Sequence, residues 1–275
     1  MKTIMDKKAL FLDLDGTLLN DQKEITSENR AAVEKALAAG HKIIIDTGRP
    51  LVSAIQQAQA LNLVGTDCYL IAYNGGILYD IGHQKIIFQG TIPLDLVTLT
   101  FEEANRRRLH IQTYNDTEVL VEPRCDDNEI RHYCKSINMT YRVIPNIHEL
   151  EQAPVKILLA NLQDPAPLKE FRKWIDSWAD TLLDTYFSSN IYLEIVPRGI
   201  NKGAAMCQMA ELLHIPIENT VAVGDSENDI FMIRAAHIGV SMCNGIDECK
   251  AAADYITGRD NNHNGIVEVI EKFIL

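Results

Sequence analysis

The chain has no excess of positive charge. Its 275 residues hold 26 Lys and Arg against 38 Asp and Glu, a net charge of −12. Nucleic acid and anionic membrane surfaces are bound by basic faces, so neither is an expected partner. The densest basic run, Arg106-Arg107-Arg108, closes the helical pattern LDLVTLTFEEANRRRL. Cations favour a helix C-terminus there. No stretch approaches the roughly 18 apolar residues of a membrane span. The short apolar run near the start is cut by Asp13 after four residues, Ala9 to Leu12, too early for a signal peptide. Six cysteines (68, 125, 134, 207, 243 and 249) form no CxxC pair and no zinc spacing with the scattered histidines. They read as reduced, core-type thiols, and a cytoplasmic protein is expected. Repeats and low-complexity segments are also absent. What remains is 47% hydrophobic and 23% charged residues, enough core for one large domain or two moderate ones.

The first third alternates strand and helix patterns. KALFL is followed by the helical ITSENRAAVEKALAAG, capped by Thr26 or Ser27 and ended at Gly40. HKIII is followed by LVSAIQQAQALNL, with Pro50 at its first helical position. CYLIA is a third strand. Continuous apolar strands alternating with helices predict a parallel, doubly wound α/β sheet buried on both faces. From about residue 81 to 193 the strands come partly in pairs, such as HIQTYN with EVLVE and TLLDTYF with IYLEIV. Helices are expected at 94–108, 126–137 and 166–179. This predicts helices over a largely antiparallel sheet. The doubly wound pattern then resumes with NKGAAMCQMAELLHI, TVAVGDS, ENDIFMIRAA and HIGVSM. The expected organisation is a Rossmann-like core of residues 1–83 and 194–275 with an α+β cap, 84–193, inserted into it.

Four places at strand ends or helix starts carry chemistry. Asp13-Leu14-Asp15-Gly16-Thr17 follows the first strand. Residues two apart on a strand face one side, so Asp13 and Asp15 start close together at the carboxyl end. Open α/β sheets bind ligands at that end. Two crowded carboxylates repel unless a cation or proton intervenes. The same residues also suit a plain turn. Thr47-Gly48-Arg49 follows the second strand and offers a hydroxyl and a backbone N–H, again as phosphate contacts or as turn and cap. Lys202 opens a helix, where a cation is unfavourable unless an anion is bound. Gly224-Asp225-Ser226-Glu227-Asn228-Asp229 ends a fourth strand and adds a third carboxylate, Asp225. Asp229 is a fourth, or a helix cap. Clustered aspartates with oxygen ligands suit Mg²⁺. Acidic metal ligands, a hydroxyl, a lysine and a nucleophilic carboxylate suffice for phosphoryl transfer.

DLDGT, TGR, an isolated Lys before a helix and GDSENDIFM, in that order, resemble the four motifs of the haloacid dehalogenase superfamily. NGGILYD and YLEIVPRGINKGAAM are similar to segments of its Cof-type phosphatases, which carry a large α/β cap between the second and third motifs. The resemblance spans the chain. It implies that Asp13 is the nucleophile that becomes an aspartyl-phosphate and also binds Mg²⁺. It implies that Asp15 is the general acid/base, with its carbonyl on the metal, and that Asp225 is the remaining metal carboxylate. Leu14 (through its N–H), Thr47, Gly48, Lys202 and Asn228 are implied phosphate contacts, and Asp229 a supporting acid. Asn261 to Gly265 resembles the late Asn-rich loop of the family and also reads as a turn.

The expected activity is thus a Mg²⁺-dependent phosphatase acting on a small phosphorylated metabolite, a sugar phosphate or similar. A phosphomutase or phosphotransferase shares the intermediate. A receiver-like, phosphorylation-controlled binding module also combines Asp, Thr and Lys, but its carboxylates are not spread 210 residues apart and it needs no cap. Cap candidates for substrate contact are Tyr114, Arg124, Arg131, Tyr186 and Tyr192. No sequence feature speaks to the oligomeric state.

Overall fold

The computed structural model describes residues 7–65, 68–123 and 128–275; Arg124 and Cys125 lie outside them. The first strand, β1 (Ala9–Leu12), is wholly buried. Four apolar side chains in a row leave no solvent face, as a central parallel strand requires. The helix α1 (Ser27–Ala38) begins where the Thr26 hydroxyl accepts from the Asn29 N–H at 3.2 Å. It ends at Gly40, which takes a left-handed φ of 93°. Next come β2 (Lys42–Asp46), α2 (Leu51–Ala60) and β3 (Tyr69–Ala72). Pro50 stands one residue before the first turn of α2 rather than within it.

The chain then folds back as β4 (Ile77–Asp80) and β5 (Lys85–Gln89), antiparallel to β3 and β4 respectively. A helix, α3 (Leu94–Arg106), leads to the antiparallel pair β6 (His110–Tyr114) and β7 (Val119–Val121). After α4 (Asn128–Ile137), the strand β8 (Tyr141–Val143) pairs parallel with β7. The strand β9 (Ile157–Ala160) joins β6, and α5 (Ala166–Ala179) precedes the hairpin of β10 (Leu183–Ser189) and β11 (Tyr192–Pro197). The remaining elements are α6 (Lys202–Leu212), β12 (Thr220–Gly224), α7 (Ile230–Ala235), β13 (Ile238–Ser241), α8 (Asp247–Ala252), β14 (Tyr255–Ile256) and α9 (Gly265–Val269).

These strands form two sheets. One has the order β14-β13-β12-β1-β2-β3-β4-β5 and is parallel from β14 to β3. The other has the order β10-β11-β9-β6-β7-β8 and is antiparallel except at β7–β8. The architecture is the expected α/β doubly wound sheet with an α+β unit inserted. The sheets divide the chain differently from the expected 84–193 segment. KIIFQ, expected in the cap, extends the parallel sheet through β4, and β11 lies in the smaller sheet past residue 193. The pairing of β5 with β4 is a local hairpin, whose partner the apolar pattern alone does not name. Ile92, Val97 and Phe101 pack with Leu193 and Ile195 in a separate apolar core. We propose a cap running from Ile92 to Pro197. No helix among the described residues is long and apolar enough to cross a membrane.

In the larger sheet the chain runs outward from β1 to β3 on one side and from β12 to β14 on the other. The order reverses between β1 and β12, and the crevice outside their carboxyl ends is where such sheets take ligands.

Candidate active site

Asp13 and Asp225 leave the adjacent ends of β1 and β12. The Asp13 N–H donates to Val223 O at 3.1 Å, which keeps the two ends together. Asp13 is buried, and its Oδ1 accepts from Lys202 Nζ at 2.6 Å. Lys202 opens α6, capped by Asn201, and is fully buried. The same ammonium donates to Asp229 Oδ1 at 2.5 Å. Burial alone would lower its pKa, but Asp13, Asp229 and Asp46 hold it above the ordinary lysine range. The cation that is unfavourable at a helix start is therefore paired with two carboxylates.

Asp229 Oδ2 accepts from the N–H groups of Asp225 and Ser226, each at 2.9 Å. It ties the turn after β12 and holds Lys202 at once. Asp225 accepts from Thr17 Oγ1 at 2.9 Å and from Ser226 Oγ at 3.1 Å. Burial, then the neighbouring Asp229, pushes its pKa up to about 7. Burial and Asp229 also raise Asp13 well above the carboxylate range, with Lys202 opposing. Gly16 is required here. It takes φ +84°, and a Cβ there would stand 2.5 Å from Asp225 Oδ2.

Carboxylate oxygens of Asp13, Asp225 and Asp229 lie within 4.8 Å of one another. All three donors are hard oxygens, and burial, then the neighbouring Asp229, raises the pKa of two of them, Asp13 and Asp225. Lys202 occupies Oδ1 of Asp13 and leaves Oδ2. Asp229 spends Oδ1 on Lys202 and Oδ2 on two N–H groups, so it is Asp13 and Asp225 that fit Mg²⁺, which takes one or two carboxylates and keeps other positions for water and phosphate.

Asp15 does not join this cluster. Its carboxylate is gripped by Arg49, Nε to Oδ2 at 2.6 Å and Nη2 to Oδ1 at 2.7 Å, and by Lys23 Nζ at 2.7 Å. Burial opposes ionisation, but these two cations hold Asp15 below the usual carboxylate range. Strand alternation predicts a shared face for Asp13 and Asp15; β1 ends at Leu12, so the period of two no longer applies.

Thr47 is buried, and its N–H is spent on Ile71 O. Its hydroxyl oxygen accepts from the Arg49 N–H at 3.1 Å, leaving its proton to donate. Among the described residues the N–H groups of Leu14 and Gly48 find no protein partner. Asn228 donates to Asn74 Oδ1 at 2.9 Å, and its own buried Oδ1 has no partner. Asp46, at the end of β2, is buried with neither oxygen hydrogen-bonded. Burial raises its pKa well above normal, with the Lys202 charge opposing.

A cavity of about 240 Å³ stands over these residues. Asp13, Asp15, Thr47, Gly48 and Asn228 line it from the core; Tyr133, Ser136, Ser188, Tyr192 and Glu194 line it from the cap. Lys202, Asp225 and Asp229 are not among its lining residues; Lys202 joins it through its bond to Asp13. Of the cap candidates among the described residues, only Tyr192 borders the cavity. Tyr114 is turned to the Tyr133 hydroxyl, Tyr186 to Ile200 O, and Arg131 is exposed. Sequence reasoning gave no role to Arg49, Lys23, Asn74, Lys156 or Glu194. Lys156 in VKILLA and Glu194 in YLEIV were visible as charges embedded in apolar strands, and charges there are paired or functional.

A family model for haloacid dehalogenase-like hydrolases matches residues 10–270. The chain is 30% identical to the 5-amino-6-(5-phospho-D-ribitylamino)uracil phosphatase YcsE of Bacillus subtilis, over 98% of this chain and 97% of that protein. It is 28% identical to the pyridoxal phosphate phosphatase YbhA of Escherichia coli, over 98% and 100% respectively. A solved haloacid dehalogenase-like hydrolase from Bacteroides thetaiotaomicron superposes with a TM-score of 0.87 at 28% identity, covering 97% of this chain and 99% of that one.

Proposed function

Since this chain belongs to the haloacid dehalogenase-like hydrolases and is by class a phosphoric monoester hydrolase, we propose that it is a Mg²⁺-dependent phosphatase of small phosphorylated metabolites, working through an aspartyl-phosphate on Asp13. The observation that carries this reading is the buried Lys202, bridging Asp13 and Asp229 at the foot of a capped cavity. A cation there orients the Asp13 carboxylate and neutralises charge as a phosphoryl group arrives. Thr47 Oγ1 and the free N–H groups of Leu14 and Gly48 would receive the phosphoryl oxygens.

Asp13 attacks phosphorus as the ester oxygen leaves, and water then cleaves the acyl phosphate. Asp15 is held ionised by Arg49 and Lys23, which suits the second step, where it takes a proton from water. To donate a proton to the leaving oxygen in the first step, it must loosen one of those contacts. A bound phosphate, itself attractive to Arg49 and Lys23, supplies the competition. Asp13, Asp225 and the Asp15 carbonyl are the groups that would hold Mg²⁺, with Asp229 in support through Lys202 and the turn after β12, and the ion's charge would stabilise the phosphoryl oxygens in the transition state.

The cavity's size and its hydroxyl-bearing wall of Tyr133, Ser136, Ser188 and Tyr192 favour a small polar ester, such as a sugar or polyol phosphate. The roof that the cap provides favours turnover in an enclosed site over display of a phosphorylated face. The test is a panel of phosphorylated metabolites assayed for released phosphate with Mg²⁺, beside an Asp13→Asn variant. We expect turnover of at least one metabolite and its loss in the variant. Activity in Asp13→Asn above about a hundredth of wild type would rule out covalent catalysis at that residue.

A further inference from the structure

A buried polar chain connects the cap to the phosphate-gripping residues of the core. Glu194, on β11, is almost fully buried. Its Oε2 accepts from Asn74 Nδ2 at 2.6 Å and from Lys156 Nζ at 2.8 Å, and its Oε1 accepts from Ser188 Oγ at 2.6 Å. The Lys156 ammonium, fully buried, also donates to Gly48 O at 2.6 Å. Asn74, held at a left-handed φ of 58°, accepts from Asn228 Nδ2 at 2.9 Å, and its N–H donates to Thr47 O at 3.0 Å. A Cβ on Gly48 would stand 2.8 Å from Asn74 Oδ1 and 3.2 Å from Glu194 Oε2. The glycine is therefore what lets the loop approach this pair. The hairpin carrying Ser188 and Glu194 has its register shift between Phe187 and Ser189, and such irregularities re-aim side chains.

We propose that Glu194 is a positioning residue: through Lys156 it fixes the Gly48 peptide, and through Asn74 it fixes the Asn228 amide, so that a cap residue sets how tightly the core holds the phosphoryl group. This rests on the reading of the cavity as a phosphoryl site. A carboxylate next to a phosphate is repulsive on its own, and its presence there makes sense only with Lys156 neutralising it. The prediction therefore has a sign. If Glu194 acted merely as a nearby charge, Glu194→Gln would tighten phosphate binding. If it holds the grip together, the same change weakens it.

The probe is inorganic phosphate, which has no organic portion for the cap to contact, measured with Mg²⁺ as a competitive inhibitor and by calorimetry. We expect Glu194→Gln to weaken phosphate by about ten-fold or more, the range of a hydrogen bond to a charged group, and to lower kcat/KM for an aryl phosphate by a similar factor. Ser188→Ala, a milder change on the same carboxylate, should weaken phosphate about two- to ten-fold and keeps the proposal testable if Glu194→Gln does not fold. Asn74→Gly removes the relaying amide and keeps the left-handed backbone. Combined with Glu194→Gln, it should cost less than the product of the two single losses. Phosphate binding that is unchanged or tighter in both Glu194→Gln and Ser188→Ala, with wild-type turnover intact, overturns the positioning role alone. A wild-type protein that neither turns over phosphomonoesters nor binds phosphate overturns the phosphatase reading, and this one with it.

Discussion

Replacing Lys202 by methionine keeps the length of the side chain and deletes its charge. In the native chain the ammonium satisfies Asp13 at 2.6 Å and Asp229 at 2.5 Å, and both carboxylates are buried. Asp225 and the unpartnered Asp46 stand close enough to interact with it or with Asp229. The variant would leave this group of carboxyls without a protein cation of its own. Breaking a buried ion pair from one side costs about 3–5 kcal/mol, because the remaining charge is stranded away from water. In a chain of this size each kcal/mol moves the midpoint by about 2–4 °C, so Tm at pH 7.5 without metal should fall by about 6–20 °C. The deficit has a direction in pH. Lys202 is held above its ordinary range, so in wild type its contribution persists across neutral pH. In the variant the stranded carboxyls can be relieved by protons, so the deficit should shrink between pH 7.5 and 5.5. Mg²⁺ should restore more stability to the variant than to wild type, since it replaces the missing positive charge. The assay is thermal unfolding at the two pH values, with and without Mg²⁺. A Tm within 2 °C of wild type at pH 7.5, or a larger deficit at pH 5.5, would refute the view that Lys202 neutralises this cluster.

Three further outcomes follow from the same geometry. Asp15→Asn should slow hydrolysis of an alkyl phosphate at least ten-fold more than an aryl phosphate, because the aryl oxygen needs little protonation to depart; equal losses on the two substrates would assign Asp15 a structural role with Arg49. Gly16→Ala should lose most activity and roughly 1–3 kcal/mol of stability, since the new Cβ meets Asp225 Oδ2 at 2.5 Å on a left-handed backbone; wild-type kinetics would show that Asp225 can shift freely. Asp225 is pushed up to about 7 from the ordinary 3.8, so without metal it keeps a proton that an unfolded chain gives up. Its raised pKa makes the metal-free protein lose stability as pH rises from about 4 to 7. A cation displaces that proton, so the Mg²⁺-induced rise in urea midpoint should grow from pH 5 to 7.5; a rise independent of pH would mean Asp225 is not a ligand.

The core was readable because its signals are local. An apolar run that ends in aspartate marks a buried parallel strand delivering its last residue to the sheet edge. Thr26 and Gly40 mark helix ends by their own chemistry. The register of the cap was less readable. β6–β7 and β10–β11 are hairpins whose partners are adjacent in sequence, and both pairs were expected. The strand β8 pairs with β7 across the intervening α4, and β9 pairs with β6 and β11, which are distant in sequence; nothing within YRV or ILLA names these partners. KIIFQ was misplaced for a related reason: its pairing with β4 is local, but which sheet the hairpin extends is decided by β3.

The site divides along a similar line. Asp13, Lys202, Asp225 and Asp229 stand at strand ends and helix starts, which marked them as candidates beside turn and cap readings; it was the family resemblance that joined them into one site. Asp15 left the face it was expected to share with Asp13 because a turn follows β1 and Arg49 is within reach. Two cations on one carboxylate outweigh the period of a strand that has already ended. Glu194 and Lys156 show in the sequence only as two isolated charges in apolar surroundings: Glu194 sits within β11 and Lys156 one residue before β9, and the pairing of β11 with β9 brings the two side chains together. A buried lysine and a buried glutamate are each costly alone, and the cost is met only where they meet. The burial that made them look like interruptions of a core pattern is thus what ties the cap to Gly48 and, through Asn74, to Asn228. A sequence shows such a pair as two separate violations of one rule, and their distance of 2.8 Å turns the violations into a joint.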